Sequence, residues 1–528
     1  MQWLFDLESD GLLAEATTIH CAVAKNLDSE EVVSFTPQTG FESFLTLLSQ
    51  ATLLVGHNLI GFDLPLIQKL YPSFSPSAEI RDTLIMARLM MPDTLEHDIR
   101  RKLPPKLHRK HSLEAWGQRL GLPKGLHQDF SAYSEEMLTY CIQDVEVTHH
   151  LWQYLTAHPW PEDSIVLEHA IAKIIFAQEH HGFSFDKDAA ADFYADLVKK
   201  REELTAQLQE TFKPLWGNES TFIPRRDNSR FGYKEGVPVQ KGEWITFNPS
   251  SRDHIADRLK TLYGWKPTVL TPTGKPMVDS HILETLDYPP IPLLLEYLLV
   301  EKRIGALAEG QHAWLKCEKA GRIHGYVNTN GAVTGRMTHS FPNMAQIPSC
   351  DSPYGKECRS LFRASPGYVL VGCDAAALEL RCLAGYMAPY DGGAYVKTVI
   401  EGEKPTCGSP GTDIHTVNQQ AICAATRDMA KPWFYAYIYG AGYQKLGEIL
   451  GGTSALGKAS KERFEKGLPA LGKLVRAIEA SLQKRGYLKG LDGRKLRGCL
   501  KSKGYGKSIG KFFSEGAYRD GIPERLAG

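Results

Sequence analysis

The stretch Tyr368-Val-Leu-Val371-Gly-Cys-Asp374-Ala-Ala-Ala-Leu-Glu379-Leu-Arg381 constrains the chain most. An apolar run opening after Pro366-Gly367 predicts a strand buried on both faces. Asp374 falls at its end, and Ala375 to Met387 continues with helical spacing. A strand that delivers a carboxylate to its tip and then turns into a helix suits a divalent metal. The strand fixes the ligand, and the sheet edge leaves room for substrate. An acid in that place is also an ordinary turn or cap residue, so the rest of the chain has to decide.

A chain of 528 residues is longer than one hydrophobic core supports, and several domains are expected. Its 43% apolar and 23% charged residues are those of a globular protein. No apolar run approaches the roughly 18 residues of a membrane helix, so no membrane partner is expected. Met1-Gln-Trp-Leu-Phe-Asp6 has neither a basic n-region nor a cleavage site, so secretion is not expected. Ten cysteines without a CxxC pair indicate neither a zinc knuckle nor a disulfide framework, and a reducing cytoplasm fits them. The formal net charge is zero, so global charge does not point to nucleic acid. Local charge does: Lys484 to Lys511 carries ten Lys and Arg against one acid, Asp492.

Near the N-terminus, Trp3-Leu-Phe-Asp6-Leu-Glu8 predicts a strand whose two acids share a face. Further strands are expected at Ile19–Ala24 and Glu31–Phe35. Thr52-Leu-Leu-Val-Gly-His57-Asn58 then predicts a strand and loop leading to Asp63 at the mouth of a helix. Asp82 either supports that set or caps a helix. Tyr140 and Asp144 are four apart in a helical stretch, hence on one face. Asp6, Glu8, Asp63 and Asp144 would hold two divalent ions if they converge, with Tyr140 orienting a water. As separate surface acids they would have no such role. Ordered in this way they resemble the proofreading 3′→5′ exonucleases of the DEDDy type, which have a ribonuclease-H-like fold. The resemblance implies that Asp6 and Glu8 form the first motif, Asp63 the second, and Tyr140 with Asp144 the third. It also puts His57 and Asn58 on the second motif's strand, His57 in a structural role. The basic, proline-containing stretch Arg100–Lys110 either touches a DNA backbone or is a solvated loop. His111-Ser-Leu-Glu-Ala-Trp-Gly resembles the corresponding stretch of phage polymerases.

Helices are expected at Ile165–Phe176 and Ala189–Phe212, with a short extended segment at Phe183 between them. They suit an arm that clamps duplex DNA, or a plain scaffold. Lys213 to Thr246 breaks the helical pattern. In the phage polymerases an inserted loop at this place recruits thioredoxin. The stretch is shorter here, so a thioredoxin partner is not expected.

Asn330 to Pro348 is dense in turn residues and polar donors. Arg336, Asn343 and Gln346 suit minor-groove acceptors, which look alike for every base pair. Further on, Arg427, Lys431, Tyr435 and Tyr439 recur every four residues. Steps of four drift about 40° around a helix, so the four share roughly a third of its circumference. Cations at one end of that face suit a triphosphate, and rings at the other suit a base and sugar. A half-buried amphipathic helix is the plainer reading of the same spacing.

Together these segments resemble family A DNA polymerases, and Ala345-Gln-Ile-Pro348 resembles the phage members. The resemblance implies that Asp374 binds the catalytic metals and that Glu379 excludes a ribose 2′-hydroxyl. Arg381 is then structural or near the primer terminus. His415, Arg427 and Lys431 contact phosphates, Lys431 with a catalytic role. Tyr435 packs on the incoming nucleotide and Tyr439 on the templating base. Arg359 falls where the family places another DNA- or nucleotide-contacting arginine. Pro432 departs from expectation: either the helix starts near Asp428 or it is kinked there.

The likeness stops after about Arg497. The family's second palm carboxylate lies in a His-Asp-Glu motif, and His97-Asp98, followed by Ile99, stands in the wrong part of the chain. The expected architecture is α/β and α+β, multidomain. It comprises a ribonuclease-H-like exonuclease domain (1–155) and an incomplete right hand. In the hand, 156–335 is the thumb with its shortened loop 213–246, 336–404 the first part of the palm, and 405–490 the fingers. Residues 491–528 form a basic tail that leaves the family pattern. The expected function is phage DNA replication: DNA-directed DNA synthesis with 3′→5′ proofreading. The alternative is an exonuclease alone, or a DNA-binding fragment of a split polymerase. The implied cofactors are two Mg2+ per active site, or Mn2+. The implied partners are primer–template DNA, dNTPs, a second polypeptide carrying the missing palm motif, and a replisome helicase or single-strand binding protein. The implied location is the host cytoplasm.

Overall fold

The structure, a computed structural model, describes every residue except 124, 126, 407–410 and 498–528. The basic tail beyond Arg497 therefore lies outside the described residues. The chain separates into two compact units, one of residues 1–178, 327–338 and 372 onward, the other of 179–326 and 339–371.

The first unit opens with β1 (Gln2–Ser9), β2 (Ile19–Asn26), β3 (Val32–Phe35), α1 (Glu42–Ser49), β4 (Leu53–Gly56), α2 (Asp63–Leu70) and β5 (Glu79–Asp82). Its five-stranded sheet runs in the order β3-β2-β1-β4-β5. The β1–β2 and β2–β3 pairs are antiparallel, and β4 joins β1 and β5 in parallel. The strands expected at Trp3–Glu8, Ile19–Ala24 and Glu31–Phe35 are present. Five helices follow: α3 (Thr83–Met90), α4 (Leu95–Arg100), α5 (Leu113–Leu120), α6 (Glu135–Thr156) and α7 (Glu162–His181). Trp3, Phe5 and Leu7 of β1 bury one face of the sheet with Phe44, Leu48 and Ile67 of α1 and α2. Leu4 points the other way and packs with Met137, Cys141 and Val145 of α6. Residues two apart in a strand share a face, so Asp6 and Glu8 follow Leu4 toward α6. That helix starts where Ser134 caps the Met137 N–H.

In the second unit β6 (Phe183–Ser184) leads into α8 (Lys187–Thr211). Ala190, Leu197, Leu204 and Leu208 form one buried stripe along α8, and each fully buried leucine there contributes about 1.5–3 kcal/mol. After β7 (Leu215–Phe222) and β8 (Val239–Ile245) come α9 (Arg252–Tyr263), α10 (Ser280–Leu283), α11 (Ile291–Ile304), α12 (Trp314–Cys317), β9 (Glu318–Lys319) and β10 (Arg322–Ile323). α8 and α11 share a core with Phe247, Leu259 and Trp314. The non-helical stretch 213–246 is an antiparallel hairpin of β7 with β8, on which Trp216 and Trp244 face each other. β11 (Tyr326–Asn328) and β12 (Thr338–Ser340) fall at the two ends of the first unit's segment 327–338, and α13 (Gly355–Ser360) follows in the second unit.

The strand expected at Tyr368–Val371 is not there. These residues have no regular structure and are 68–88% exposed. A strand buried on both faces needs hydrogen-bonded neighbours and covering layers. Among the described residues no strand pairs with this run. The helix after it starts at Leu378, not Ala375.

The remainder of the first unit is helical: α14 (Leu378–Asp391), α15 (Ala394–Glu401), α16 (Ile414–Ile422), α17 (Arg427–Ile438), α18 (Tyr443–Ile449), α19 (Ser454–Gly467) and α20 (Pro469–Arg485). A two-stranded ladder, β13 (Tyr487–Lys489) with β14 (Lys495–Arg497), closes it. Leu380, Met387, Trp433, Phe434, Leu446, Phe464 and Leu471 form its core. α17 is capped by Thr426 and contains Pro432 as its sixth residue without ending there. No helix among the described residues is long and apolar enough to cross a membrane.

Candidate active sites

The first candidate site lies between β1, α2 and α6. One ligand atom each from Asp6, Glu8 and Cys141 comes within 4.8 Å of the others. Cys141 donates its thiol to the Asp6 carbonyl at 3.5 Å. Its hydrogen bond with Cys21, then burial and the charges of Asp6 and Glu8, push its pKa well up. A thiol held protonated in this way is a poorer metal ligand than the carboxylates beside it. Asp144 lies three residues on along α6, on the same face, and is buried, as is Asp63 at the first position of α2. Tyr140 stands one turn before Asp144, its ring against His127 and Phe130. Burial, and then the charge of Asp6, push the Asp63 pKa well above the usual carboxylate range. Asp63 Oδ1 is buried without a hydrogen-bond partner. Crowded acids with a bare inward oxygen are what a hard, oxygen-seeking divalent cation compensates, and the donor set fits Mg2+ or Mn2+.

The loop presenting Asp63 is tightly held. Asp82 accepts from Asn58 N–H at 2.9 Å, Ile60 N–H at 3.1 Å and Leu84 N–H at 3.0 Å. It thus caps α3 and supports the site at once. Asn58 adopts φ +72°, a left-handed conformation that asparagine tolerates. A Cβ on Gly56 would come within 2.8 Å of the Phe5 carbonyl, so only glycine lets β4 and β1 approach there. His57 Nδ1 meets Thr83 Oγ1 at 2.9 Å, just past the end of β4.

The second candidate site joins α14 and α17 to Arg336. Tyr439 donates to Glu379 Oε1 at 3.3 Å. Arg336 Nη2 lies 3.5 Å from the Tyr439 hydroxyl and 4.0 Å from Glu379 Oε1. Burial, then the charge of Glu379, raise the Tyr435 pKa. Further along α17, burial and then the cation of Arg427 lower that of His415, and Lys431 adds to the effect. Arg427 pairs with Asp413, which also caps α16. The residue spacing on α17 pointed to its cationic–aromatic face; Asp413, which fixes the arginine, was passed over, although Asp before Ile-His-Thr is a recognisable cap.

Other expected residues stand apart. Asn343 and Gln346 line a cavity of about 150 Å3 with Lys302, Arg303, His312 and Trp314. Arg359 Nε donates to the Pro348 carbonyl at 2.8 Å. Asp374 lies on the exposed segment before α14. Neither group of three or more His, Cys, Asp or Glu side chains within ligand reach among the described residues includes Asp374. Asp98 is structural: fully buried, it pairs with Arg119 at 2.7 Å.

With a mixed sheet bearing clustered acids and a helical subdomain bearing the cationic–aromatic face, the chain has the build of a nucleotidyl-transfer enzyme. The profile of DNA polymerase family A matches residues 238–504. The DNA-directed DNA polymerase of Escherichia phage T7 is 35% identical, the alignment covering 93% of this chain and 85% of the relative. That of Enterobacteria phage T3 is 35% identical with the same coverage. The POL domain of Pol1 from M. smegmatis, solved in complex with DNA primer-template and dNTP, has the same fold. It superposes with a TM-score of 0.64 at 17% identity, covering 93% of this chain and 77% of that one. The chain belongs to DNA polymerase family A.

Proposed function

We propose that this chain carries out DNA-templated DNA synthesis with 3′→5′ editing, as a replicative polymerase of phage type. Residues 1–155 form the exonuclease on a ribonuclease-H-like sheet; 156–335 form the thumb, 336–404 the palm and 405–490 the fingers. The observation that carries the reading is the meeting of Arg336, Glu379 and Tyr439, up to 103 residues apart in sequence. Membership of the family supports it.

In the exonuclease, Asp6, Glu8, Asp63 and Asp144 hold divalent ions, which when bound supply a polarised water and neutralise charge on the leaving oxygen. Tyr140, one turn before Asp144, orients the attacking water. Asp82 keeps the Asp63 loop in place and takes no part in the chemistry. In the polymerase, His415, Arg427 and Lys431 bind the triphosphate oxygens by charge-assisted hydrogen bonds. Asp413 holds Arg427 in position. Tyr435 packs on the nucleotide, Glu379 stands at the sugar 2′ position, and Tyr439 faces the template base. Arg336, Asn343 and Gln346 face the minor groove, and Arg359 contacts DNA or the nucleotide.

Around Asp374 the described residues do not fit a metal centre, because its segment is exposed and Asp374 belongs to no group of three or more His, Cys, Asp or Glu side chains within ligand reach. That observation favours a second reading: an exonuclease with a DNA- and nucleotide-binding half whose palm is completed by a second polypeptide.

Incubating the purified chain with primed template, Mg2+ and dNTPs, beside Asp6→Ala and Asp374→Ala, separates the readings. Extension that Asp374→Ala abolishes supports the first. Shortening that Asp6→Ala abolishes, with no extension in any variant, supports the second. Neither shortening nor extension would sink both.

A further inference from the structure

The C-terminal half of α6 carries side chains that neither proposed activity uses. Glu146, His149 and His150 stand at i, i+3 and i+4 on the helix, on neighbouring faces. One ligand atom from each comes within 4.8 Å of the others. Glu146 Oε1 is 3.3 Å from His150 Nδ1 and 4.0 Å from His149 Nδ1. In a tetrahedral centre with bonds of about 2.0–2.1 Å, neighbouring ligand atoms lie roughly 3.3 Å apart. The Glu146–His150 pair is already at that spacing, while the Glu146–His149 pair and the two imidazoles, within 4.8 Å of each other, close by side-chain rotation.

His149 adds a second, independent observation. It is only 5% exposed, and its Nδ1, on the side of Glu146, has no hydrogen-bond partner. Leaving such a buried nitrogen unsatisfied is unfavourable. Its Nε2 accepts from the Gln153 amide nitrogen at 3.3 Å. Turning that amide over presents its oxygen instead, so that Nε2 keeps the proton and Nδ1 is left with a lone pair for an ion. An outer hydrogen bond commonly orients a metal-bound imidazole in this way.

Two contacts bear on the balance. Lys25 Nζ donates to Glu146 Oε2 at 2.8 Å, which pins the carboxylate with Oε1 toward the imidazoles. Its ammonium opposes a second cation, while the charge of Glu30, which also reaches His149, favours one. His150 Nδ1 also meets the Glu146 carbonyl at 3.0 Å, a contact the ring gives up to become a ligand.

We propose that Glu146, His149 and His150 bind one divalent ion of the Zn2+ class, with water as fourth ligand. The site is distinct from the carboxylate set of Asp6, Glu8, Asp63 and Asp144, whose oxygens suit Mg2+. Its ion clips the turn of α6 that follows Asp144.

The test is a Co2+ titration of the full chain in excess Mg2+, read by visible absorption. The expected result is one ion per chain with the intense d–d bands of a low-coordinate nitrogen–oxygen site. A sulfur charge-transfer band is not expected; Cys350, Cys373, Cys382 and Cys423 are exposed and would produce one if they were the ligands. His150→Ala, at a half-exposed position, and His149→Gln each weaken binding by about tenfold or more. Asp6→Ala leaves the bands intact, and Zn2+ displaces Co2+. Bands that survive His150→Ala, or that vanish with Asp6→Ala, overturn the proposal. If His149→Gln loses its circular dichroism signal, His150→Ala alone decides.

Discussion

The phenol of Tyr439 donates to Glu379 Oε1 at 3.3 Å, joining the end of α17 to the first turn of α14. Both side chains are substantially exposed, so the bond contributes little to stability. Its consequence is placement. Tyr439→Phe keeps the ring and removes the tether, and the unfolding transition is expected to move by no more than about 0.5 kcal/mol. Glu379→Ala removes the acid proposed to stand at the sugar. In primer extension it is expected to raise ribonucleotide use relative to deoxynucleotide by about tenfold or more, a discrimination of about 1.4 kcal/mol. An unchanged ratio of kcat/KM values would show that Glu379 is not the gate.

Asp413 and Arg427 make a prediction about pH. Burial alone would raise the Asp413 pKa, but the hydrogen bonds from Arg427 and Thr416 outweigh it and bring it down to about 2. An unfolded aspartate titrates near about 3.9. The ionised pair therefore contributes fully above about pH 4, and the contribution is lost as pH falls through about 2. Asp413→Asn keeps a good helix cap and removes the charge. At pH 7 it is expected to cost about 2 kcal/mol in urea denaturation. The gap to the parent chain should narrow as pH falls from 4 toward 2. A gap independent of pH would mean that shape, not charge, carries the effect.

How far the sequence was readable depended on how local each signal was. Asp6 and Glu8 were legible because a strand alternates, and Tyr140 with Asp144 because a helix repeats every turn. The cationic–aromatic face of α17 followed from the same repeat. Tyr368–Val371 misled because an apolar run reports burial only when something covers it, and the described residues supply no cover. The β7–β8 hairpin was seen only as the end of a helix, since its long loop carries no two-residue turn signal. Asp98 and Arg119, 21 residues apart, could not be paired from spacing, because nothing local brings α4 to α5.

That pair supports a stability prediction. Arg119 Nε meets Asp98 Oδ1 at 2.7 Å with both side chains essentially out of contact with solvent. Asp98 Oδ2 accepts from Thr94 Oγ1 and from the Arg109 N–H, each at 2.8 Å. Asp98→Ala leaves a guanidinium buried without its charge partner and is expected to cost about 3–5 kcal/mol. Asp98→Ala with Arg119→Met removes both charges and should cost clearly less than the two single changes added together. Additive losses in that double-mutant cycle would show that the pair does not act as a unit.

Asp63 sets stability against activity. Burial and the neighbouring Asp6 hold its pKa well above the ordinary value. A carboxyl whose folded pKa is raised stabilises the fold below its unfolded pKa and loses that contribution as pH rises through the folded one. Above that value the ion-free chain carries the repulsion in full. Asp63→Asn keeps the shape and removes the charge. In EDTA at pH 8 it is therefore expected to raise Tm by a few degrees over the parent chain. Mg2+ should stabilise the parent more than the variant, because the cation also relieves the repulsion between Asp63 and its neighbours, which the variant lacks. Primer shortening should fall by about a hundredfold or more, the scale of losing a positioned catalytic group. Equal Mg2+ shifts in the two proteins, or a lower Tm for Asp63→Asn in EDTA, would place the ion elsewhere and leave the crowded carboxylates without their proposed purpose.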